Sequence, residues 1–291
     1  MKFLIVGGSG QVGREMAALA APGVELVLPP RSVLDLTDRA SVAAALAPGG
    51  FTAVVNLAAW TAVDKAETAV ADSIAANALG PAILAEETAR TGIPLVHVST
   101  DYVFDGRKTA PYVEDDPVAP LGVYGLSKLL GESAVRTVNP VHLVVRTAWV
   151  FGRHGANFVK TMLRLGAERP VVKVVDDQVG TPTAAADLAA ALLAMATRLA
   201  TDQSVAGTYH FANSGETSWC GFAREVFRLS GASGAKVPEL VPITTAEYPT
   251  PARRPANSRL STAKAAETFG ISPRPWQEAL ADVVGDLQGS S

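Results

Sequence analysis

Cysteine is nearly missing from this chain: Cys220 stands alone among 291 residues. A lone thiol forms no internal disulfide and leaves no cysteine pair for a metal, so a reducing cytosol is the simplest compartment and a cytoplasmic protein is expected. Histidine is almost as sparse, and His97, His142, His154 and His210 are scattered without metal-ligand spacing, so no metal site is expected. No excess of one charge exists either. Lys and Arg number 25 against 28 Asp and Glu, a net charge of −3, with no basic cluster to engage nucleic acid. Long apolar runs are absent too: nothing approaches the roughly 18 residues of a membrane span. The opening Phe3–Val6 run ends at Gly7, too short for a signal peptide.

What remains is the composition of an ordinary globular enzyme, 48% hydrophobic and 18% charged. The length suffices for one large domain or two interlocked ones. Short β-branched runs alternate with alanine-rich helical stretches through the first half. Strands are expected at 2–6, 25–28, 53–56, 95–98 and 143–146, with helices near 12–20, 41–46, 69–91 and 124–138. Near-continuous apolar strands separated by helices imply an α/β fold, a Rossmann-type doubly wound parallel sheet covered on both faces. After Arg146 the texture loosens. A strand near 171–175 and a helix near 184–199 are assigned to the sheet, helices near 218–229 and 276–287 to a smaller C-terminal α/β lobe, and the five prolines of 238–259 to loop. The expected division is 1–148 plus about 171–207 for the dinucleotide domain, and about 149–170 plus 208–291 for the substrate lobe.

Gly7-Gly8-Ser9-Gly10-Gln11-Val12-Gly13 follows the first strand directly and opens a helix. Gly7, Gly10 and Gly13 give the spacing of a turn that brings backbone against a pyrophosphate, with Gln11 and Val12 at the helix start. A plain strand–helix turn has the same glycines, but the position at the first strand of an alternating chain favours a dinucleotide. The second strand leads into Pro29-Pro30-Arg31-Ser32, with no carboxylate for the adenosine ribose of NAD. Arg31 and Ser32 suit the 2′-phosphate of NADP, unless Arg31 is simply a solvated loop residue. Asp35 and Leu36, just beyond, fall near the adenine. NADPH is the favoured cofactor, with NADH kept open.

Of five tyrosines only Tyr124 has a lysine four positions on, Lys128, placing phenol and ammonium on one helical face. A nearby cation stabilises phenolate, so Tyr124 is expected to be the proton donor to a carbonyl that receives hydride. Lys128 can also hold the ribose hydroxyls of the cofactor. Such a pair also occurs on solvated helix faces. It gains weight from Ser99-Thr100-Asp101 at the end of the fourth strand, where ligands of parallel sheets bind. Thr100 can bond the substrate oxygen or the tyrosine; a turn cap is the plainer role for Thr100 and Asp101.

Together these residues resemble the extended short-chain dehydrogenase/reductase family, and most closely its reductases of dTDP-4-dehydro-L-rhamnose. The resemblance runs through 7–13, 54–67, 99–104, 123–128, 146–150, 177–183 and 248–260. It implies NADPH- or NADH-dependent reduction of the sugar's C4 keto group, with dTDP-4-dehydro-L-rhamnose as the small-molecule partner. Thr100, Asp101 and Trp149 would contact the sugar, and Ala58, Ala59 and Trp60 would line the cofactor. Trp149 offers a flat apolar wall with one N–H donor, or else is a core residue. Arg254, whose fork matches phosphate oxygens, Asn257 and Asn157 would face the nucleotide. The resemblance also implies, for some members, magnesium-linked dimers using a glutamate at the position of Glu15. Ungapped alignment puts Ala186 where a second ligand stands, and alanine binds no hard cation, while Asp187 lies on another helical face. No structural magnesium is expected, and monomer or homodimer both remain. Two rivals stay in view. A non-catalytic subunit of the same fold should have lost the Tyr–Lys pair, which is present. A dehydratase should carry a further carboxylate after Asp101, where Tyr102 stands; an epimerase is harder to separate.

Overall fold

The computed structural model describes residues 1–289. Its centre is a parallel sheet built from β1 (Lys2–Val6), β2 (Glu25–Val27), β3 (Ala53–Asn56), β4 (Leu95–Thr100), β5 (His142–Thr147) and the strand Gly207–His210. The order is Gly207–His210, β5, β4, β3, β1, β2, so the chain reverses direction across the sheet between β1 and β3. Each central strand is buried on both faces, which explains the unbroken apolar runs. Phe3, Ile5, Val55, Val96 and Val145 face the helix Ala185–Thr201. The alternate residues Leu4, Val6, Val54, Leu95 and Val144 pack against Val42, Leu84 and Val135 on the opposite face. Ala185–Thr201 buries Leu188, Leu192, Met195 and Leu199, a stripe at helical spacing. Fully burying such a side chain contributes roughly 1.5–3 kcal/mol, so these two layers dominate the stabilisation of the sheet.

The smaller lobe has its own core of Phe151, Val159, Met162, Phe222, Phe227, Trp276 and Leu280. It is formed by the helices Phe158–Glu168, Trp219–Ala232 and Trp276–Gly289. Two corrections to the expected division follow. Val171–Val175 lies outside the main sheet, paired in parallel with Glu239–Ile243 in the lobe. Gly207–His210 lies inside it, paired with β5, so the main sheet does not end at residue 207. The strand Glu239–Ile243 also replaces part of the loop expected over 238–259. Pro242 is tolerated because the strand has one neighbour only and forms an edge.

The expected helix over 69–91 is interrupted by a π-helical turn, Ala75–Leu79. The wider turn carries the fully buried Asn77. Its amide accepts from the Trp60 N–H at 2.8 Å and donates to the Trp60 carbonyl at 3.0 Å and the Ser127 hydroxyl at 3.0 Å. One side chain thus ties the loop after β3 to the helix Val123–Val138, which carries Tyr124 and Lys128.

Candidate active site

A cleft of about 880 Å³ opens beyond the carboxyl ends of the strands, at the point where the strand order reverses. The glycine loop forms one wall. Gly7 holds φ +84°, and a Cβ there would stand 2.6 Å from the Ala58 nitrogen; at Gly13 it would stand 2.5 Å from the Gly8 Cα. Only glycine lets the loop close on β3 and the following helix pack on the loop. The N–H groups that begin the helix at Gln11 have no acceptor within it and lie on the cleft wall. This cradle fits a dinucleotide phosphate. Arg31, Asp35 and Leu36 line the far end, with Arg31 strongly exposed and 3.6 Å from the Asp35 carboxylate. Ala58 and Ala59 line the cleft beside them.

Thr100, Asp101, Tyr124 and Lys128 all face the same cleft. The Glu67 carboxylate accepts from the Val123 N–H at 2.9 Å and so fixes the start of the Tyr124 helix. Gly125 permits close packing beneath it, for a Cβ would lie 2.2 Å from the Tyr102 carbonyl oxygen. Lys128 is buried and its Nζ donates to the Val98 carbonyl at 2.8 Å. Thr100 donates to Asp101 Oδ1 at 3.0 Å.

The electrostatics correct one expectation. Tyr124 is not drawn toward neutrality by Lys128. Burial raises its phenol well above the ordinary value, the Thr100 hydroxyl pulls it back, and the Asp101 and Tyr102 charges push it further up. Lys128 itself falls to about 8 because burial disfavours the ammonium, against the pull of Glu132. Burial also lifts Asp101 to about 6, opposed by the Ser258 and Thr100 hydroxyls. The phenol therefore stays protonated across the neutral range, as a proton donor requires.

Trp149 is the one described non-glycine residue at positive φ, +49°. Its ring stacks on Trp219 with centroids 3.6 Å apart and planes within 12°, and both line the cleft. Gly180 leaves room for it, since a Cβ there would sit 2.5 Å from the indole. Asn157 also lines the cleft; it caps the helix Phe158–Glu168 and donates to the Gln11 side chain at 3.0 Å, joining lobe to phosphate loop.

Three expected residues lie outside the cleft lining. Trp60 is turned outward and its indole donates to the Ala62 carbonyl. Asn257 is a staple: it donates to the Lys108 and Ala110 carbonyls and accepts from Arg259. Arg254 pairs with Asp64 at 2.8 Å and reaches toward the Tyr102 hydroxyl at 3.5 Å, at the edge of the site. Glu15 is buried and bidentate with Arg153, and Asp187 is held by Arg274 and Asn213.

Sequence reasoning missed Trp219, Gly180 and Thr147. Thr147 ends β5 on the cleft wall, and its buried hydroxyl finds no partner among the described residues. Its position at a strand end was the available signal. Trp219 left none, because its role depends on a stack across 70 residues of chain.

Over residues 1–288 the sequence matches the family of the RmlD substrate binding domain. It is 44% identical over 289 residues to a dTDP-4-dehydrorhamnose reductase of Sinorhizobium fredii, covering 99% of this chain and 98% of that one. The crystal structure of a dTDP-4-dehydrorhamnose reductase from Clostridium acetobutylicum superposes with a TM-score of 0.92 at 41% identity, over 99% of this chain and 100% of that one. A dTDP-4-dehydrorhamnose reductase from Bacillus anthracis in complex with NADP superposes with a TM-score of 0.89 at 33% identity, over 98% and 99%.

Proposed function

The chain belongs to the family of the RmlD substrate binding domain, and from that membership we propose that it is an oxidoreductase that uses NADPH to reduce the C4 keto group of dTDP-4-dehydro-L-rhamnose to dTDP-L-rhamnose. The observation that carries this reading is that Thr100, Tyr124 and Lys128 meet the glycine loop in one cleft. A bound dihydronicotinamide supplies the hydride. The Gly7–Gly13 loop would hold its pyrophosphate, Arg31 the 2′-phosphate, and Lys128 the nicotinamide ribose. Tyr124, kept protonated by burial, donates a proton to the carbonyl oxygen as C4 takes up hydride. The Trp149 ring, flat and rigid against Trp219, forms the wall for the sugar.

The Tyr–Lys pair and the unbroken cleft argue for catalysis over a purely regulatory subunit. A direct assay supplies dTDP-4-dehydro-L-rhamnose with NADPH or NADH and follows loss of reduced cofactor, with Tyr124→Phe and Arg31→Ala in parallel. Expected are turnover by the native chain, a fall of about 10²–10⁴ in kcat for Tyr124→Phe, and a loss of NADPH affinity in Arg31→Ala that NADH does not share. No cofactor oxidation with this sugar would overturn the assignment. Equal use of both cofactors, unaltered by Arg31→Ala, would overturn the NADPH preference.

A further inference from the structure

Two arginines stand on the cleft wall, Arg14 and Arg31, and they differ in what they face. Arg31 is strongly exposed, and its Nε lies 3.6 Å from the Asp35 carboxylate. That carboxylate accepts from the Thr37 N–H at 2.9 Å and the Thr37 hydroxyl at 2.7 Å. These bonds, and then the Arg31 charge, hold it below its usual value, so it stays ionised in neutral solution. Arg31 and Asp35 thus sum to no net charge. Arg14 has no such partner. Its Nε donates to the Ser9 carbonyl at 3.2 Å, and no carboxylate among the described residues pairs with its guanidinium. Both terminal amino groups of Arg14 are left for a ligand.

The fold sets this guanidinium where the second strand leaves the sheet. Arg14 is the fourth residue of the helix Gln11–Ala17, and helical side chains lean toward the N-terminus, so it reaches back over the glycine loop. The Ser9 carbonyl anchors it there. The neighbouring Gly8 is pressed against the chain leaving β2, for a Cβ at Gly8 would lie 2.8 Å from the Leu28 Cβ. Pro29 and Arg31, just past Leu28, line the cleft on that side. In doubly wound sheets the end of the second strand is where the adenosine ribose of a dinucleotide is recognised.

We propose that Arg14 determines specificity for NADPH, its guanidinium gripping the 2′-phosphate together with Arg31. The proposal rests on the reductase reading for its cofactor. A phosphate monoester carries about −1.5 to −2 charge at neutral pH. The Arg31–Asp35 pair cannot match that charge, and Arg14 adds the missing cation. Its two free amino groups can donate in parallel to two phosphate oxygens, the geometry in which arginine binds phosphate best. NADH carries a hydroxyl at that position and offers no anion to either arginine. Lys128, also on the cleft wall, is buried and committed to the Val98 carbonyl, so it supplies no charge at this end.

Isothermal titration of the full chain with NADP⁺ and NAD⁺ tests this without turnover. Arg14→Ala should weaken NADP⁺ binding about tenfold or more and leave NAD⁺ binding unchanged. Arg14→Lys, which keeps the charge and loses the fork, should recover part of that loss. The fragments 2′,5′-ADP and 5′-AMP should show the same contrast, which confines the effect to the adenosine half. Added salt should erode the preference for NADP⁺ more in the native chain than in Arg14→Ala. Circular dichroism and thermal melts of each variant separate misfolding from lost binding. Equal weakening of NADP⁺ and NAD⁺ would place Arg14 on the pyrophosphate and overturn the proposal, as would unchanged NADP⁺ affinity in Arg14→Ala. A native chain that binds NADP⁺ through Arg14 but oxidises no NADPH with dTDP-4-dehydro-L-rhamnose would leave the proposal standing and overturn the reductase reading. One that binds neither NADP⁺ nor 2′,5′-ADP would overturn both.

Discussion

The rings of Trp149 and Trp219 lie parallel 3.6 Å apart, and the first of them holds a backbone conformation, φ +49°, that bulky residues rarely adopt. Strain of this kind costs on the order of 1–3 kcal/mol and persists only when neighbours over-determine it. Here the neighbours are the Trp219 face and the bare Gly180 backbone. An indole held this way cannot swing aside, so it presents a fixed wall to the cleft.

Removing the stack should therefore loosen substrate binding more than chemistry. Trp219→Ala is expected to raise KM for the nucleotide sugar about tenfold with kcat changed far less, the stack being worth about 0.5–1.5 kcal/mol beyond its buried area. Gly180→Ala, which drives a methyl to within 2.5 Å of the Trp149 ring, should do the same from the other side. Cofactor affinity, measured by titration, should not move in either variant. A change confined to kcat would show that the wall serves the reaction rather than the fit.

The ion pair between Arg254 and Asp64 spans 190 residues of chain and joins the proline-rich loop to the segment after β3. Asp64 also accepts from the Ala252 N–H at 3.2 Å. Both side chains are partly exposed, so the pair should add no more than about 1 kcal/mol to stability. It fixes the Arg254 guanidinium in place, and the proposed role of that arginine toward the nucleotide is open to a direct test. Asp64→Asn should leave the melting temperature within a few degrees while weakening binding of dTDP, and Arg254→Ala should weaken it further. Isothermal titration with dTDP is the measurement; unchanged affinity in Arg254→Ala would remove arginine from the nucleotide site.

These same segments show what can be read from a chain. The glycine loop, the Tyr124–Lys128 spacing and the Thr100 strand end were legible because each depends on residues close in sequence, on one turn or one helical face. Val171–Val175 and Gly207–His210 were not. A five-residue apolar strand carries no mark of its partner, and Glu239–Ile243 was hidden by Pro242, which only an edge strand accepts. Asn257 read as a ligand contact because a polar residue in a matching loop looks the same whether it faces a nucleotide or staples two carbonyls. The residue types around the site were in view; which buried groups satisfy one another was a property of the folded chain.

Glu132 and Arg146 form a pair buried beneath the Tyr124 helix, with two contacts of 2.9 and 2.8 Å. Burial alone would push the Glu132 carboxyl up, but the Arg146 hydrogen bonds and charge, with Ser99 and Arg136, outweigh it and hold it below the usual range. The pair is worth less than its contacts suggest, yet breaking it leaves a guanidinium uncompensated in the core. Glu132→Ala should cost about 3–5 kcal/mol in urea unfolding, whereas Glu132→Ala with Arg146→Met should recover a large part of that loss. Equal losses in single and double variants would show that packing volume, not charge, sets the cost.

His210 carries the clearest link between pH and stability. Burial first, and the Arg146 charge next, depress its ring to about 3, while its bond to the Tyr112 carbonyl pulls weakly the other way. The folded ring is therefore neutral, but the unfolded ring takes a proton near 6.5. Between those values the unfolded state binds more protons, so this group's contribution is complete above 6.5 and is lost as pH falls toward 3. His97, lowered well below its usual value by burial and by Lys128, acts in the same direction. Asp101 and Glu114, both raised by burial, act oppositely, so the native slope is a difference. His210→Gln isolates one member. Its urea unfolding free energy should lose less between pH 7 and pH 5 than the native chain does, by up to about 1.4 kcal/mol for each unit of pH below 6. Parallel curves for the two proteins across that range would mean that His210 titrates alike folded and unfolded, and that the acid sensitivity arises elsewhere.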